Sequence, residues 1–241
     1  MINIKKLKNE ESLKDKCGIF GIYGKGEDVA RISFFGLYSL QHRGQEGAGI
    51  TVTDGKNLKS VKGLGLVSTV FDEKKINSLK GFAAIGHTRY STTGGNKLCN
   101  VQPVVLNLKD DDFALAHNGN IINAINLSSE LPSDIKLSST SDTEIMGWVI
   151  KNSNGRNWEE KILSSFKKFQ GAFSMIALTK NKLIAFRDTY GFRPLVLGQL
   201  NGSYIVCSET CALDTVGAKF IREVAPGEIV TIDEKGINVV G

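Results

Sequence analysis

The features of membrane proteins and of disulfide-stabilised secreted proteins are absent from this sequence. No apolar run approaches the roughly 18 to 20 residues needed to span a bilayer, and the lysine-containing N-terminus lacks the apolar core of a signal peptide. Four cysteines in 241 residues are too few for a disulfide framework. We therefore predict a cytoplasmic protein with reduced thiols and no membrane association.

The sequence also lacks a long run of charge of one sign. Its 30 Lys and Arg are interspersed with 25 Asp and Glu, so the net charge of +5 is spread over the surface. This pattern argues against nucleic acid as a partner. Apolar residues make up 41% of the chain, an ordinary globular value, and no repeat, low-complexity tract or internal linker divides it, which favours one large domain.

Composition changes abruptly at residue 17. Residues 1–16 contain five lysines and only a few separated apolar side chains, whereas residues 17–24 (CGIFGIYG) have almost no polar side chain. The first segment cannot contribute much to a core, and the second is typical of a short strand that is covered on both faces. We predict a leader over residues 1–16 and a domain over residues 17–241.

Turn and cap signals predict a layered arrangement. Asp28 can cap a helix with apolar residues at helical spacing. Asp54-Gly55 and Asn201-Gly202 each separate two strand-like runs, as in two-residue hairpins, so the strands that they join are antiparallel. Strands and helices do not alternate regularly, which argues against a parallel Rossmann-like sheet, and we predict an α/β (α+β) fold with antiparallel sheets inside and helices outside. Further helical patterns occur at 72–80, 120–131, 142–152 and 157–169.

The four cysteines form no recognisable metal-binding pattern. Cys207 and Cys211 make a CxxxC without a second pair of ligands, and the three histidines lie far away in sequence, so we predict no metal site. Cys17 allows two interpretations. It is a small buried residue at the start of a strand, or it is a nucleophile that needs a base and an oxyanion hole from elsewhere in the chain.

Two later segments place polar groups directly after apolar strands. IGHTRYSTTGG delivers His87, Arg89 and Tyr90 to a loop rich in Ser, Thr and Gly, and FALAHNGNI delivers His117, Asn118 and Gly119. An Asn amide beside a glycine N–H suits the stabilisation of a tetrahedral oxyanion. The same dipeptide is also typical of a hairpin turn.

Ser141 and Glu144 fit a capping box at a helix N-terminus, in which each satisfies free backbone N–H groups. Asp142, one place into this helix, is left without such a role. A guanidinium matches a carboxylate in a two-pronged way, and a carboxylate matches an ammonium. Together, Arg89 and Asp142 suit the two ionic ends of a free amino acid.

A resemblance to a known family is carried by motifs that run in that family's order across residues 17 to about 230. They are CGIFGIYG, GLYSLQHRGQEGAGI, IGHTRYSTTG, the Gln102-Pro103 pair, LAHNGNI, TSDTEI and RDTYGFRPLVLG. In this order they resemble the glutaminase domain of class II glutamine amidotransferases. Within that class, LQHRGQEGAG, RYSTTG, RDTYGFRPLVLG and SETCALD are most similar to the branch that makes phosphoribosylamine from glutamine and phosphoribosyl pyrophosphate in purine synthesis, the amidophosphoribosyltransferases.

The resemblance implies a four-layer αββα sandwich with two antiparallel sheets, of the N-terminal nucleophile hydrolase type. It implies that Cys17 is the nucleophile, with its own α-amino group as base, and that Asn118 and Gly119 are the oxyanion donors. While Lys16 is bonded to Cys17 that nitrogen is an amide, so residues 1–16 are expected to be removed, by attack of Cys17 on the preceding carbonyl. A free α-amine, with a pKa of about 7.7 to 8.0, is suited to proton transfer near neutral pH.

For the substrate, the resemblance implies that Arg89 binds the α-carboxylate of glutamine and Asp142 its α-amine. Arg43 and Gly44 are expected to line the pocket above the nucleophile. Tyr90 is expected to help signal or seal the route to the ammonia acceptor.

The family enzyme is about twice as long, and nothing in these 241 residues matches its phosphoribosyltransferase domain. That domain or subunit is the expected partner and ammonia acceptor. Mg²⁺ and, in some members, an iron–sulfur cluster are assigned to it, with no cofactor in this chain, and homo-oligomer formation stays open. Two alternatives also stay open: a catalytically silent, glutamine-binding regulatory or scaffold module, and a glutaminase subunit for a different acceptor.

Overall fold

The residues described by a computed structural model, 17–90, 97–108 and 111–241, contain thirteen β-strands. In chain order they are β1 Gly18–Tyr23, β2 Gly47–Thr53, β3 Leu58–Leu64, β4 Ala83–Arg89, β5 Val104–Leu106, β6 Phe113–Ile121, β7 Gly171–Leu178, β8 Leu183–Arg187, β9 Val196–Leu200, β10 Ser203–Cys207, β11 Lys219–Glu223, β12 Ile229–Asp233 and β13 Gly236–Val239. The predicted leader, residues 1–16, lies outside the described residues.

Seven α-helices and two short 3-10 helices lie in the same described ranges. The α-helices are α1 Val29–Ser39, α2 Val67–Val70, α3 Glu73–Ser78, α4 Ala124–Ser129, α5 Asp142–Lys151, α6 Trp158–Phe166 and α7 Thr210–Val216. The 3-10 helices are Gln41–Arg43 and Leu98–Asn100. None of these helices is long and apolar enough to cross a membrane.

The described strands form two sheets, and the pairings within both are antiparallel. The first sheet has seven strands in the order β11-β9-β10-β1-β4-β2-β3, and the second has six in the order β13-β12-β8-β7-β6-β5. β1 therefore lies at the centre of the first sheet, between β10 and β4. Cys17, the residue before β1, therefore lies at the end of a central strand rather than at a sheet edge.

Three apolar clusters define the order of the layers. One lies between the sheets, where Ile19 and Ile85 pack with Ile176 and Leu183. A second joins the first sheet to α1, α2, α3 and α7, and a third joins the second sheet to α4, α5 and α6. The order is helix, sheet, sheet, helix, which confirms the predicted four-layer αββα sandwich.

The position of β1 explains why its sequence is almost entirely apolar. Phe20 and Ile22 pack in the cluster with the helices of the first sheet, whereas Ile19 and Tyr23 pack in the cluster between the sheets. Successive side chains of a strand point to opposite faces, and here both faces are covered. All six residues of β1 are buried, as the sequence predicts.

Both predicted hairpins are present. β2 pairs with β3 across the four residues 54–57, which begin with Asp54-Gly55, so this turn is longer than the predicted two residues, whereas β9 pairs with β10 across Asn201-Gly202 alone. Gly55, Asn201 and Gly202 have φ angles of 93°, 48° and 84°. These are the positive values that such tight turns require, and they are open to Gly and Asn.

The Asn118-Gly119 dipeptide is not a turn. It lies inside β6, opposite Ser174 and Phe173 of β7. β6 continues to Ile121, so the helix predicted at 120–131 begins only at Ala124. Pairing with β7 along the whole of β6 outweighs the local preference of Asn-Gly for a turn, because strand preference depends strongly on tertiary context.

Candidate active site

The register between β1 and β4 brings two predicted site residues together. Gly18 pairs with Thr88, so Cys17, just before β1, lies level with Arg89 at the end of β4. Ile85 faces the second sheet. Because side chains alternate along a strand, Arg89, four residues later, faces the second sheet too. The predicted nucleophile and the predicted carboxylate-binding residue therefore meet at one end of the space between the sheets.

Cys17 is held by hydrogen bonds of its backbone and its thiol. Its N–H donates to the Arg43 carbonyl (3.1 Å), its carbonyl accepts from Arg43 Nε (2.8 Å), and its thiol donates to the Tyr90 carbonyl (3.5 Å). Cys17 is 8% exposed and its φ is 67°. A non-glycine residue with positive φ is uncommon, costs about 1–3 kcal/mol and is often found at functional sites. This conformation favours the functional interpretation of Cys17.

Burial is the main influence on the Cys17 thiol, and it raises the pKa of this group above its usual value. The positive charges of Arg89 and Arg43 act in the opposite direction, and the negative charge of Asp142 adds to the increase. The thiolate is the nucleophilic form of cysteine. A thiol with a raised pKa therefore needs a base to take its proton before it can attack a substrate.

Arg43, at the end of the 3-10 helix Gln41–Arg43, connects Cys17 to helix α7. Its side chain is 1% exposed, and besides the Cys17 carbonyl it contacts the carboxylate of Glu209, the N-cap residue of α7. Gly44 packs tightly against β4, where a Cβ would lie 2.7 Å from backbone atoms of Thr88 and Arg89. Both residues thus hold the backbone around the nucleophile in place.

β6 brings Asn118 and Gly119 to the site from the second sheet. Ala114 and Ala116 face the first sheet, so Asn118, at the next alternate position, faces it as well. Asn118 is fully buried, and its amide oxygen and nitrogen have no hydrogen-bond partner among the described residues. Buried amides are normally paired, so this group is available to a ligand. Gly119 has a φ of 150°, and a Cβ there would lie 2.0 Å from the Ala172 carbonyl oxygen.

Asp142 opens α5 on the same side of the site. Its Oδ2 accepts from the Ile121 N–H (3.2 Å), and its Oδ1 lies 3.6 Å from His117 Nδ1. Burial acts to raise its pKa, but His117 and the Ile121 N–H outweigh burial and hold the pKa below its usual value. The side chain is therefore ionised near neutral pH and suited to an ammonium group.

The N-terminus of α5 differs from the predicted capping box in one contact. Ser141 is the N-cap and accepts from the Thr143 N–H (3.3 Å). The Ser141 N–H donates to Ser139 Oγ (3.3 Å) rather than to Glu144. The Glu144 carboxylate instead accepts from the N–H groups of Ser138 (2.9 Å) and Ser139 (2.7 Å). The predicted role of Glu144 is wrong because the loop before the helix folds back over this buried carboxylate.

One cavity joins residues from both sheets and from α5. Five of the eight predicted site residues are among those that line it, whereas Arg43, Gly44 and Asn118 are not. The Ser/Thr/Gly-rich loop after Tyr90 falls largely in residues 91–96, outside the described residues. The residues lining the cavity are Cys17, Arg89, Tyr90, Gln102, His117, Gly119, Ser141 and Asp142.

Three buried residues beside the cavity form a hydrogen-bonded group, and the sequence patterns assign a role to His117 but none to Gln102 and Thr143. Gln102 Nε2 donates to Thr143 Oγ1 (2.9 Å), and Gln102 Oε1 accepts from the His117 N–H (2.7 Å). His117 Nδ1 lies 3.3 Å from Thr143 Oγ1. All three residues are within the motifs that carry the family resemblance or next to them, which is the signal available in the sequence. Their pairing joins residues 15 to 41 apart and depends on the fold.

A buried cysteine ahead of the central strand, facing a cavity between two antiparallel sheets covered by helices, defines an N-terminal nucleophile hydrolase fold with a candidate thiol centre. The family model described as a glutamine amidotransferase domain matches residues 87–215, more than half of the chain. The chain belongs to the class II glutamine amidotransferase family, as the motifs predict.

The relatives of this chain are longer proteins. The amidophosphoribosyltransferase of Synechococcus elongatus is 44% identical over 238 residues, which is 96% of this chain and 48% of the relative. Amidophosphoribosyltransferase 2 of Arabidopsis thaliana is 46% identical over 231 residues, 95% of this chain and 41% of the relative. Among solved structures, the glutamine phosphoribosylpyrophosphate amidotransferase of Bacillus subtilis matches with a TM-score of 0.86 at 42% identity, covering 93% of this chain and 49% of that one. The chain thus spans about half the length of these relatives.

Proposed function

We propose that this domain hydrolyses glutamine through a thioester at Cys17 and passes the ammonia to an acceptor. The observation that carries this proposal is one cavity lined by the Cys17 thiol, the Arg89 guanidinium and the Asp142 carboxylate. A free amino acid has an α-carboxylate and an α-ammonium, which match these two charges. With both charged ends bound, the side-chain amide of glutamine is left to face the thiol.

The chemistry requires one nucleophile, one base and two oxyanion donors. The Cys17 thiolate attacks the side-chain amide carbon and forms a C–S bond, while the carbonyl oxygen becomes an oxyanion that Asn118 and Gly119 stabilise. Collapse of this intermediate breaks the C–N bond, and the leaving nitrogen takes the proton that the base removed from the thiol. Water then attacks the thioester, releases glutamate and restores the thiol.

The base in this proposal is the α-amino group of Cys17, set free by removal of residues 1–16. Two observations support processing at this junction. Burial raises the pKa of the thiol, so a nearby base is needed, and the φ of 67° strains the backbone of the residue that attacks the preceding carbonyl. Transfer of that carbonyl from nitrogen to sulfur, followed by hydrolysis of the thioester, releases the leader without a second enzyme.

We assign the ammonia acceptor to the half of the relatives that this chain does not span. Those relatives are amidophosphoribosyltransferases of about twice this length. Their name supports a phosphoribosyltransferase domain or subunit that uses phosphoribosyl pyrophosphate. In this proposal Mg²⁺ and any iron–sulfur cluster reside in that half, and the protein acts in cytoplasmic purine synthesis.

The test compares glutamate release by three forms of the chain. They are the chain as written, a form that starts at Met-Cys17 so that methionine removal exposes Cys17, and that second form with Cys17→Ala. We expect activity from the second form, none from the third, and activity from the first in proportion to the fraction that has lost residues 1–16 by intact mass. Cys99→Ser, at an exposed cysteine, is the matched control and should retain activity.

Each other outcome selects a different interpretation. No glutamate from any form would support the silent, glutamine-binding module. Full activity of an unprocessed 26.2 kDa chain would disprove both leader removal and the α-amine base. Phosphoribosyl pyrophosphate added to this chain alone should release no pyrophosphate, since the phosphate-binding half is supplied by the acceptor.

A further inference from the structure

Three side chains with metal-binding atoms meet outside the cavity that contains Cys17. His42 Nε2, a carboxylate oxygen of Glu209 and Cys211 Sγ all lie within 4.8 Å of one another. His42 comes from the 3-10 helix Gln41–Arg43, Glu209 is the N-cap residue of α7, and Cys211 lies in the first turn of α7. The distance in the chain between the histidines and the cysteines predicts no metal site, but the fold places His42 beside Cys211.

The orientation of the His42 ring aims its Nε2 at the Glu209 carboxylate. His42 Nδ1 lies 3.0 Å from the Ser39 carbonyl oxygen, which only accepts, so Nδ1 carries the hydrogen. In the neutral ring Nε2 then has a free lone pair, yet it lies 2.9 Å from Glu209 Oε2, another acceptor. A backbone carbonyl that fixes one ring nitrogen and aims the other is the usual arrangement around a metal-binding histidine.

Cys211 adds a sulfur atom to the nitrogen and oxygen atoms of this pair. Its Sγ lies 3.6 Å from the same Glu209 Oε2, so sulfur, nitrogen and oxygen surround one small space. Zn²⁺ binds such atoms at about 2.0–2.3 Å in a tetrahedron, which places its ligand atoms about 3.3–3.8 Å apart. The three atoms lie within 4.8 Å of one another, so small side-chain movements, including a slight opening of the 2.9 Å pair of His42 and Glu209, bring them to these distances. The His42 side chain is 55% exposed, which leaves an entry path and room for a water ligand.

We propose that His42, Glu209 and Cys211 form a binding site for a thiophilic divalent cation of the Zn²⁺ class. On binding, the Cys211 thiol loses its proton to solvent and a metal–sulfur bond forms, and His42 binds the ion through the lone pair of Nε2. Glu209 offers Oε2 to the ion and keeps Oε1 on the Arg43 guanidinium. Because Arg43 also binds the Cys17 carbonyl, the ion lies two side chains away from the nucleophile.

The experiment uses the full chain with Cys17→Ala, so that the reactive thiol does not bind metal. After removal of metal with a chelator, the protein is titrated with Co²⁺ and then with Zn²⁺. We expect one equivalent of Co²⁺, a thiolate-to-cobalt charge-transfer band, and loss of that band when Zn²⁺ displaces the cobalt. Cys211→Ser should abolish the band, and His42→Gln should weaken Zn²⁺ binding at least about 100-fold, since even an outer-shell partner contributes 10- to 100-fold.

Cys99→Ser is the matched control, because Cys99 is an exposed free cysteine. It should retain the band and the affinity. The proposal is overturned if the parent chain binds no Co²⁺, if the band survives Cys211→Ser, or if Cys99→Ser removes it. Unfolding of each metal-free variant confirms that it is folded, and the readout does not depend on glutaminase activity.

Discussion

The two sheets contribute different chemical groups to the candidate active site. On the side of the first sheet, Cys17 supplies a thiol and Arg89 supplies a cation. On the side of the second sheet and α5, Asn118 and Gly119 supply two amide groups and Asp142 supplies an anion. The apolar cluster between the sheets holds these groups face to face. Neither sheet alone can bind both ends of an amino acid next to a nucleophile, so the site depends on their stacking.

The two sides also differ in how their polar groups are satisfied. On the first side Cys17 is held by Arg43 and Tyr90, so the nucleophile has its position before a ligand binds. On the second side the Asn118 amide and His117 Nε2 have no partner among the described residues. An unpaired buried group costs about 1–3 kcal/mol, which a ligand that pairs with it can recover. The first side therefore holds the nucleophile in position, and the second side offers unpaired polar groups to a ligand.

The largest effect is expected from Asn118→Ala, which removes the unpaired amide from the second side and so tests the difference between the two sides. We expect kcat to fall about 10²- to 10³-fold with little change in KM, because the oxyanion forms only in the transition state. Steady-state glutaminase kinetics of the processed enzyme measure both constants. Asn120→Ala, two residues along the same strand, is the control. A rise in KM without loss of kcat would assign Asn118 to ground-state binding instead.

A smaller effect is expected from the charges that face each other across the site. Asp142→Asn on the second side and Arg89→Gln on the first should each raise KM for glutamine about 10- to 150-fold, because a hydrogen bond to a charged group contributes about 1.5–3 kcal/mol. The exposed Asp134→Asn is the control for a lost carboxylate. A change confined to kcat in either variant would contradict the proposed binding roles.

His87 lies in β4, on the first side, and should make the free energy of unfolding depend on pH. It is fully buried, and burial, aided by His117 and Arg89, lowers its pKa to about 3. The unfolded chain, with a histidine pKa of about 6.5, takes up a proton first as the pH falls. Stability present above pH 6.5 is therefore lost progressively towards pH 3, with a slope of about 1.4 kcal/mol per pH unit.

Denaturant unfolding at several pH values between 7 and 4 measures this slope. His87→Phe and His87→Asn both remove the titrating group, so the slope should decrease by up to about 1.4 kcal/mol per pH unit in each, whatever their overall stability. An unchanged slope in both variants would show that His87 is not held neutral in the folded state.

The smallest expected effect is the loss of stability when a helix cap is removed, and one cap from each side allows a comparison. Asp28 caps α1 by accepting from the Arg31 N–H (3.2 Å), and Ser141 caps α5 by accepting from the Thr143 N–H (3.3 Å). Replacing either by Ala should lower the free energy of unfolding by about 1 kcal/mol. Only Ser141→Ala should also raise KM, since Asp142 follows it directly. Equal KM values for the two variants would show that the cap does not position Asp142.

Much of the local structure could be predicted, because it depends on near neighbours. The caps at Asp28 and Ser141, the turns at Asp54-Gly55 and Asn201-Gly202, and the doubly covered strand β1 follow from hydrogen bonds and side-chain patterns within a few residues. The family motifs added eight site residues, of which five line one cavity. Local patterns failed at Glu144, where the loop just before the helix folds back over the carboxylate, and within β6, where a distant strand pairs with Asn118-Gly119.

The sequence by itself determined the nucleophile candidate, the hairpins and the apolar faces that make two sheets bury each other. Only the tertiary structure decided which polar groups meet. Asn118-Gly119 is a strand segment rather than a turn because β7 pairs with it. Arg43 and His42 reach Glu209 across 166 and 167 residues of chain. Such contacts are set by strand register and by the stacking of the layers, which bury apolar surface over the whole domain, so no local pattern encodes them.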